Sequence, residues 1–328
     1  MTTESAFVIE LPEGHLAIHD LTVGAAAPDA PVVLAVHGIT ANGLSWQRVA
    51  DEVHHRHGPG AVRFLAPDLR GRGDSRSAPG PYGLATHAAD LASIASIFAA
   101  APVLVGHSMG AFVSALAADL HPGRFAGVVL VDGGLAFPVA ADLDIDATLR
   151  AVIGPAMDRL SMRFADPAAY LDFWGRHPAL GPVLRGPAGE AARLYITHDL
   201  VDASEDDSGD AAAGDGAGDG DGDGRWRSSC SLEAVRADGA DVLSDPQTHA
   251  AVRRLAGRGV PVDLLWARRG LLDEPQGLYD DARLAALDVP ETVRVTEVDA
   301  NHYDIVLGDV GVAAVADAID RHLAASPV

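Results

Sequence analysis

Pro102-Val103-Leu104-Val105-Gly106-His107-Ser108-Met109-Gly110 leads straight into Ala111-Phe112-Val113-Ser114-Ala115-Leu116-Ala117-Ala118-Asp119-Leu120. The first four residues form a short apolar strand opened by a proline, and the last ten are rich in helix formers. Between them a serine is flanked at two residues on each side by glycine. A G-x-S-x-G turn between a strand and a helix has the setting of a nucleophile elbow, which is tight enough to need glycine and lifts the serine hydroxyl above the C-terminal edge of a sheet. Ser108 is therefore the candidate nucleophile.

Outward from this turn the chain alternates strands and helices. Phe7–Leu11 and Leu16–Val23 read as two opening strands around a turn at Glu13-Gly14. Val32–Val36 is an unbroken apolar run, as a strand buried on both faces requires. Runs 62–66, 103–105 and 128–131 share that character, with helical patterns at 46–56, 86–99 and 111–120 between them. Strands alternating with helices at this spacing predict βαβ units and a mainly parallel sheet of an α/β fold. From about 135 to 200 the pattern becomes helical, with Leu149, Val152 and Ile153 in one helix and Tyr170, Phe173 and Trp174 in another. The alternation resumes at Val262–Trp266, Tyr279–Leu287, Thr292–Val298 and Val310–Ala324. The expected division is a core of 1–134 and 241–328, interrupted by a helical cap over 135–240.

A serine hydroxyl attacks efficiently only when a histidine takes its proton and a carboxylate orients that histidine. Among the 14 histidines, His302 in Asp299-Ala300-Asn301-His302-Tyr303-Asp304 lies just past the last strand, on the same sheet edge as Ser108. It is the expected base. His107, beside the serine on a sharp turn, is expected to pack. The group His54-His55-x-His57 has no carboxylate or thiol at ligand spacing and reads as solvated. His37-Gly38-Ile39-Thr40 follows the 32–36 strand, and a glycine turn there aims a peptide N–H at a developing oxyanion. The expected donors are the backbone amides of Ile39 and Met109.

Composition bounds the alternatives. The chain has 328 residues, enough for one large core with an inserted module. Its net charge of −22 disfavours nucleic acid and anionic membrane as partners. Cys230 is the single cysteine, so no intramolecular disulfide forms. The acidic start lacks a signal-peptide pattern, and a cytoplasmic location is the expectation. Much of the acidity falls in an Asp/Gly/Ala/Ser stretch at 203–224, expected to be a disordered loop. Asp219, Asp221, Asp223 and Gly224 resemble the start of a calcium loop, but the twelfth position, where a glutamate belongs, is Cys230. No dinucleotide fingerprint or zinc spacing occurs, so neither cofactor nor metal is expected.

These motifs resemble the α/β-hydrolase superfamily, in the capped branch that includes esterases and cofactor-free haloperoxidases. The resemblance rests on His37-Gly38, on Asp68-Leu69-Arg70-Gly71-Arg72-Gly73-Asp74-Ser75 as a D-x-R-G-x-G-x-S turn, on the elbow, and on Asn301-His302. It implies cleavage of a carboxylic ester or related acyl bond in a small-molecule substrate, through a Ser-His-Asp triad and an acyl-enzyme. Thioesterase, lactonase, carbon–carbon hydrolase and perhydrolase chemistry use the same residues, and a non-catalytic ligand-binding relative is the alternative from another class. Carboxylate nucleophiles, as in the dehalogenases and epoxide hydrolases of this fold, do not fit Ser108. The acid departs from the family pattern. Where a W-G-x-x-D segment usually supplies it, this chain has Trp266-Ala267-Arg268-Arg269-Gly270. Asp132, ending the 128–131 strand, and Asp273, three residues past the usual place, are the two candidates. A strand end is the more rigid support and favours Asp132.

Overall fold

The computed structural model describes residues 5–11, 14–137, 144–204 and 224–325. The acidic run 205–223, with the calcium-like aspartates, lies outside the described residues, as does Glu13 of the first turn.

Eight strands form the main sheet: β1 (Ser5–Leu11), β2 (Gly14–Asp20), β3 (Val32–Val36), β4 (Arg63–Pro67), β5 (Val103–His107), β6 (Gly127–Val131), β9 (Val262–Ala267) and β10 (Val293–Val298). Their spatial order is β1-β2-β4-β3-β5-β6-β9-β10. β1–β2 and β2–β4 pair antiparallel, and the remaining neighbours pair parallel. Every residue of β3, β5, β6 and β9 is buried, which is why these segments are continuous apolar runs rather than alternating ones. The edge strand β10 exposes its middle residues.

Helices α1 (Gln47–His57), α2 (Leu84–Ala95) and α3 (Met109–Leu120) make the early crossovers. α1 buries Val49, Ala50 and Val53, one face of a 3.6-residue period, and ends at Gly58 with φ +89°. α3 is buried on all sides except at Leu120, consistent with its small, apolar sequence. The first helix also corrects one expectation. His54 is buried with Nε2 donating to the Val62 carbonyl at 3.1 Å, and the exposed His57 pairs with Asp320 at 2.7 Å, whereas His55 is exposed and makes no such contact among the described residues. Two flanking residues of the helix thus staple it to the body.

Between β6 and β9 the chain forms α4 (Ile145–Ile153), α5 (Pro155–Asp158), α6 (Pro167–Gly175), α7 (Leu180–Arg185), α8 (Gly189–His198), the hairpin β7 (Leu200–Asp202)–β8 (Trp226–Ser228), α9 (Leu232–Ser244), α10 (Pro246–His249) and α11 (Ala251–Gly257). Their starts are written locally. Asp144, Asp166 and Ser231 accept the amides of Ala147, Ala169 and Ala234, and Pro167 occupies the first turn of α6. α9 runs through position 240 and is tied to the body. Its buried Asp238 pairs with Arg72 Nη1 at 2.6 Å, lies 3.0 Å from His87 Nε2, and accepts the Gly83 amide. After β9 come α12 (Asp281–Ala286), β10, α13 (Asp304–Leu307) and α14 (Asp309–Ala325). Among the described residues no helix is long and apolar enough to cross a membrane.

From β3 the chain moves to β4 on one side, then crosses to β5 on the other. Loops that leave the C-terminal ends of β3 and β5 therefore diverge and open a crevice, the place where open α/β sheets bind ligands. The 37–40 turn and Ser108 stand on its two sides.

Candidate active site

Ser108 follows β5 with φ 56° and ψ −123°, a strained backbone for a residue with a side chain. The glycines around it answer to close approach. A Cβ on Gly106 would stand 2.1 Å from the Gly110 carbonyl oxygen, and one on Gly110 would stand 2.1 Å from that of Val36. The elbow folds so tightly on itself at Gly106 and against the end of β3 at Gly110 that no side chain fits at either place.

Asp132 directly follows β6, fully buried, with φ 48°. Its amide donates to the Leu265 carbonyl of β9 at 2.7 Å, and its Oδ1 accepts the Ala267 amide at 3.0 Å. Oδ2 accepts from His302 Nδ1 at 2.6 Å. Asp273 is elsewhere engaged: its Oδ1 accepts from Arg269 Nε at 2.9 Å and from Asn301 Nδ2 at 3.1 Å, on a largely exposed loop. Of the two candidate acids, Asp132 is the one in contact with the histidine.

His302 sits in the loop after β10, almost fully buried. Its carbonyl accepts from His107 Nε2 at 2.8 Å, and the two imidazole rings lie 4.6 Å apart. Burial, with His302 beside it, holds His107 well below the ordinary histidine pKa. A neutral His107 that donates through Nε2 fixes the His302 loop, a role beyond the packing expected for it.

The 37–40 turn is held from below. His37 Nδ1 donates to the Gly38 carbonyl at 2.8 Å, and its Nε2 accepts the Leu69 amide at 2.9 Å, so both nitrogens require the neutral ring. Burial lowers its pKa to about 4. Arg72 donates through Nε and Nη2 to the Ile39 carbonyl at 3.0 and 2.9 Å. Arg159, from the segment between α5 and α6, donates through Nη2 to the Thr40 carbonyl at 2.7 Å. Two buried guanidinium groups thus grip consecutive carbonyls of the turn that carries the Ile39 amide. Met109 opens α3, where first-turn amides have no partner within the helix. Arg72 was visible as a member of the D-x-R-G-x-G-x-S turn; Arg159 had no local signal, because its partners are far away in the sequence.

Ser108, His107, His302, Gly38, Ile39 and Tyr195 line a cavity of about 40 Å³. A second cavity of about 230 Å³ shares Ser108, Ile39, Ile153 and Leu271 with the first. It extends over Met109 between Phe112, Phe137, Leu149, Val242 and Leu278, with Thr148 and Arg283 its polar wall residues. The arrangement offers a hydroxyl, an imidazole oriented by a carboxylate, one backbone amide in the turn after β3 and one at the start of α3, and an adjoining apolar chamber.

Comparison with known proteins speaks for the same fold. The family model described as alpha/beta hydrolase fold matches residues 31–309. Lipase LipV of Mycobacterium tuberculosis is 36% identical over 121 residues, covering 36% of this chain and 44% of the lipase. The match therefore spans less than half of that relative. Among solved structures, a thioesterase domain from the curacin biosynthetic pathway superposes with a TM-score of 0.68 at 19% identity, covering 98% of this chain and 100% of that one. E-2-(acetamidomethylene)succinate hydrolase gives 0.65 at 20% identity, covering 97% and 100%. At these identities the structural likeness speaks for the fold alone.

Proposed function

The chain belongs to the α/β-hydrolase family, and from that premise we propose that it hydrolyses a carboxylic ester or closely related acyl bond at Ser108. The observation that carries the reading is the 2.6 Å contact from His302 Nδ1 to the buried Asp132 carboxylate, beside a cavity that Ser108 and His302 share. With Nδ1 committed to Asp132, Nε2 is the nitrogen left for the serine.

In this mechanism Ser108 Oγ attacks the acyl carbon while His302 Nε2 takes its proton. Asp132 keeps the imidazole in the required tautomer and stabilises the imidazolium. The Ile39 and Met109 amides receive the negative charge that develops on the carbonyl oxygen. His302 then gives its proton to the leaving alkoxide, which departs as the alcohol and leaves an acyl-serine. Water, deprotonated by the same nitrogen, attacks the acyl-serine and releases the carboxylic acid and free Ser108.

The 230 Å³ chamber favours an apolar acyl group, whose burial contributes about 0.8 kcal/mol per methylene. Segments α4 to α8, which supply Ile153 and Tyr195 to the cavities, act in this reading as a cap over the sheet edge. The test is turnover of a p-nitrophenyl ester series of increasing acyl length, with thioester and lactone panels beside it. Ester hydrolysis that rises with chain length and vanishes in Ser108→Ala supports the reading. Turnover that survives in Ser108→Ala, or none on any acyl substrate, overturns it.

A further inference from the structure

Four side chains outside the Ser108 site converge from four separate parts of the chain. His19 lies on β2, Asp68 directly follows β4, Asp74 belongs to the turn at 73–75, and His198 closes α8. His19 Nε2 is 3.0 Å from Asp68 Oδ2. His198 Nε2 is 3.3 Å from the same oxygen and 3.7 Å from Asp74 Oδ2. One ligand atom from each of the four lies within 4.8 Å of all the others. A tetrahedral zinc ion with bonds of about 2.0–2.1 Å separates its ligand atoms by roughly 3.3 Å, so the three measured edges bracket that spacing.

We infer that His19, Asp68, Asp74 and His198 form a binding site for a divalent metal ion of the zinc type, which clamps α8 to the edge of the sheet. The donor set is two imidazole nitrogens and two carboxylate oxygens, suited to zinc and its transition-metal neighbours rather than to calcium or magnesium, which take oxygen. An ion would be held by the two imidazoles in their neutral form and by two carboxylates whose charge it offsets. Backbone amides already orient the Asp68 carboxylate, since Oδ1 accepts from Gly43 at 2.7 Å and Oδ2 accepts from Asp74 at 2.8 Å. His19 and Asp68 are fully buried, whereas His198 and Asp74 are partly exposed and give an ion its way in. No sequence pattern announces the site, because positions 19, 68, 74 and 198 share no ligand spacing. Its place is structural, since α8 also carries Tyr195 to the Ser108 cavity.

The full chain, freed of metal by chelation, is titrated with Co²⁺ and separately with Zn²⁺. The expected result is one ion per chain, the intense visible absorption of four-coordinate cobalt, its displacement by Zn²⁺, and a Tm that rises with free Zn²⁺. His198→Ala and Asp74→Asn are each expected to weaken Co²⁺ binding by about 100-fold or more, beyond the loss typical of an outer supporting group. Asp74 is half exposed, so Asp74→Asn keeps the test available if His198→Ala fails to fold. Failure to bind one ion per chain overturns the inference. So does a weak six-coordinate spectrum with equal affinity in the parent and both variants, the result if the acidic 205–223 run or surface histidines held the ion.

Discussion

Asp132 and Asp273 share a left-handed backbone, with φ of 48° and 61°, yet their surroundings divide them. Asp132 is buried and spends one oxygen on the Ala267 amide and the other on His302, whereas Asp273 meets Arg269 and Asn301 near solvent. Asp132→Asn preserves shape but removes the charge that stabilises an imidazolium, so kcat is expected to fall roughly 10²- to 10⁴-fold. Asp273→Asn is expected to stay within about tenfold of the parent, as a surface pair contributes little. Steady-state kinetics on one ester decide the matter; a crippled Asp273→Asn beside a mild Asp132→Asn would assign the acid to the other strand. Ser108 and His302 were legible in the sequence because a turn motif and a place after the last strand locate them without knowledge of distant partners. The choice of acid was legible only as a pair of candidates, since both follow strands on the same edge. What separates them is a side-chain direction set by the Leu265 and Ala267 backbone.

The inserted helices depend on buried charge. Arg159 donates through Nε to Tyr170 Oη at 2.8 Å and through Nη1 to the Ala156 carbonyl at 2.6 Å, and it pairs with Asp199 at 3.0 Å. Asp199 in turn accepts from Tyr170 Oη and from the hydroxyls of Ser228 and Ser229. Arg159→Met leaves the Asp199 carboxylate without its cation and the Thr40 carbonyl without its donor. A loss of about 3–5 kcal/mol is expected in urea unfolding, with a fall in kcat as the 37–40 turn, the proposed oxyanion turn, loosens. Unchanged stability would mean that the network is incidental. The parallel strands were readable because burial on both faces leaves an unbroken apolar run. Helix ends were less so: the 86–99 pattern continues through Ile97 and Phe98, while α2 stops at Ala95 and Ile97 is mostly exposed. The tie between α9 and the body was not readable at all, because Arg72, His87 and Asp238 meet across long sequence separations.

For the whole molecule, the buried neutral histidines set a pH limit. His37 and His177 both fall to about 4 through burial, against about 6.5 when unfolded. Between these values the unfolded chain binds more protons, so stability is fully present above about 6.5 and is lost as pH falls toward 4. For His37 alone the change is on the order of 3 kcal/mol, and urea unfolding at pH 7 and about pH 4.5 measures it. Equal stabilities would contradict the assignment of neutral rings. The hairpin that brackets 205–223 closes through described residues, with Asp202 opposite Trp226 and the Ala203 amide on the Arg225 carbonyl at 2.8 Å. Replacing 205–223 by a short turn is therefore expected to leave Tm and ester turnover close to the parent; a large drop in Tm would show that the run supports the fold. In the proposed mechanism catalysis rests on one hydroxyl, and the mass of the intact chain after treatment with a fluorophosphonate reads that group alone. A nucleophilic Ser108 gives a single adduct on the peptide that carries it, complete loss of ester turnover, and no adduct on Ser108→Ala. Equal labelling of Ser108→Ala, or an unlabelled parent that still hydrolyses esters, would contradict that role.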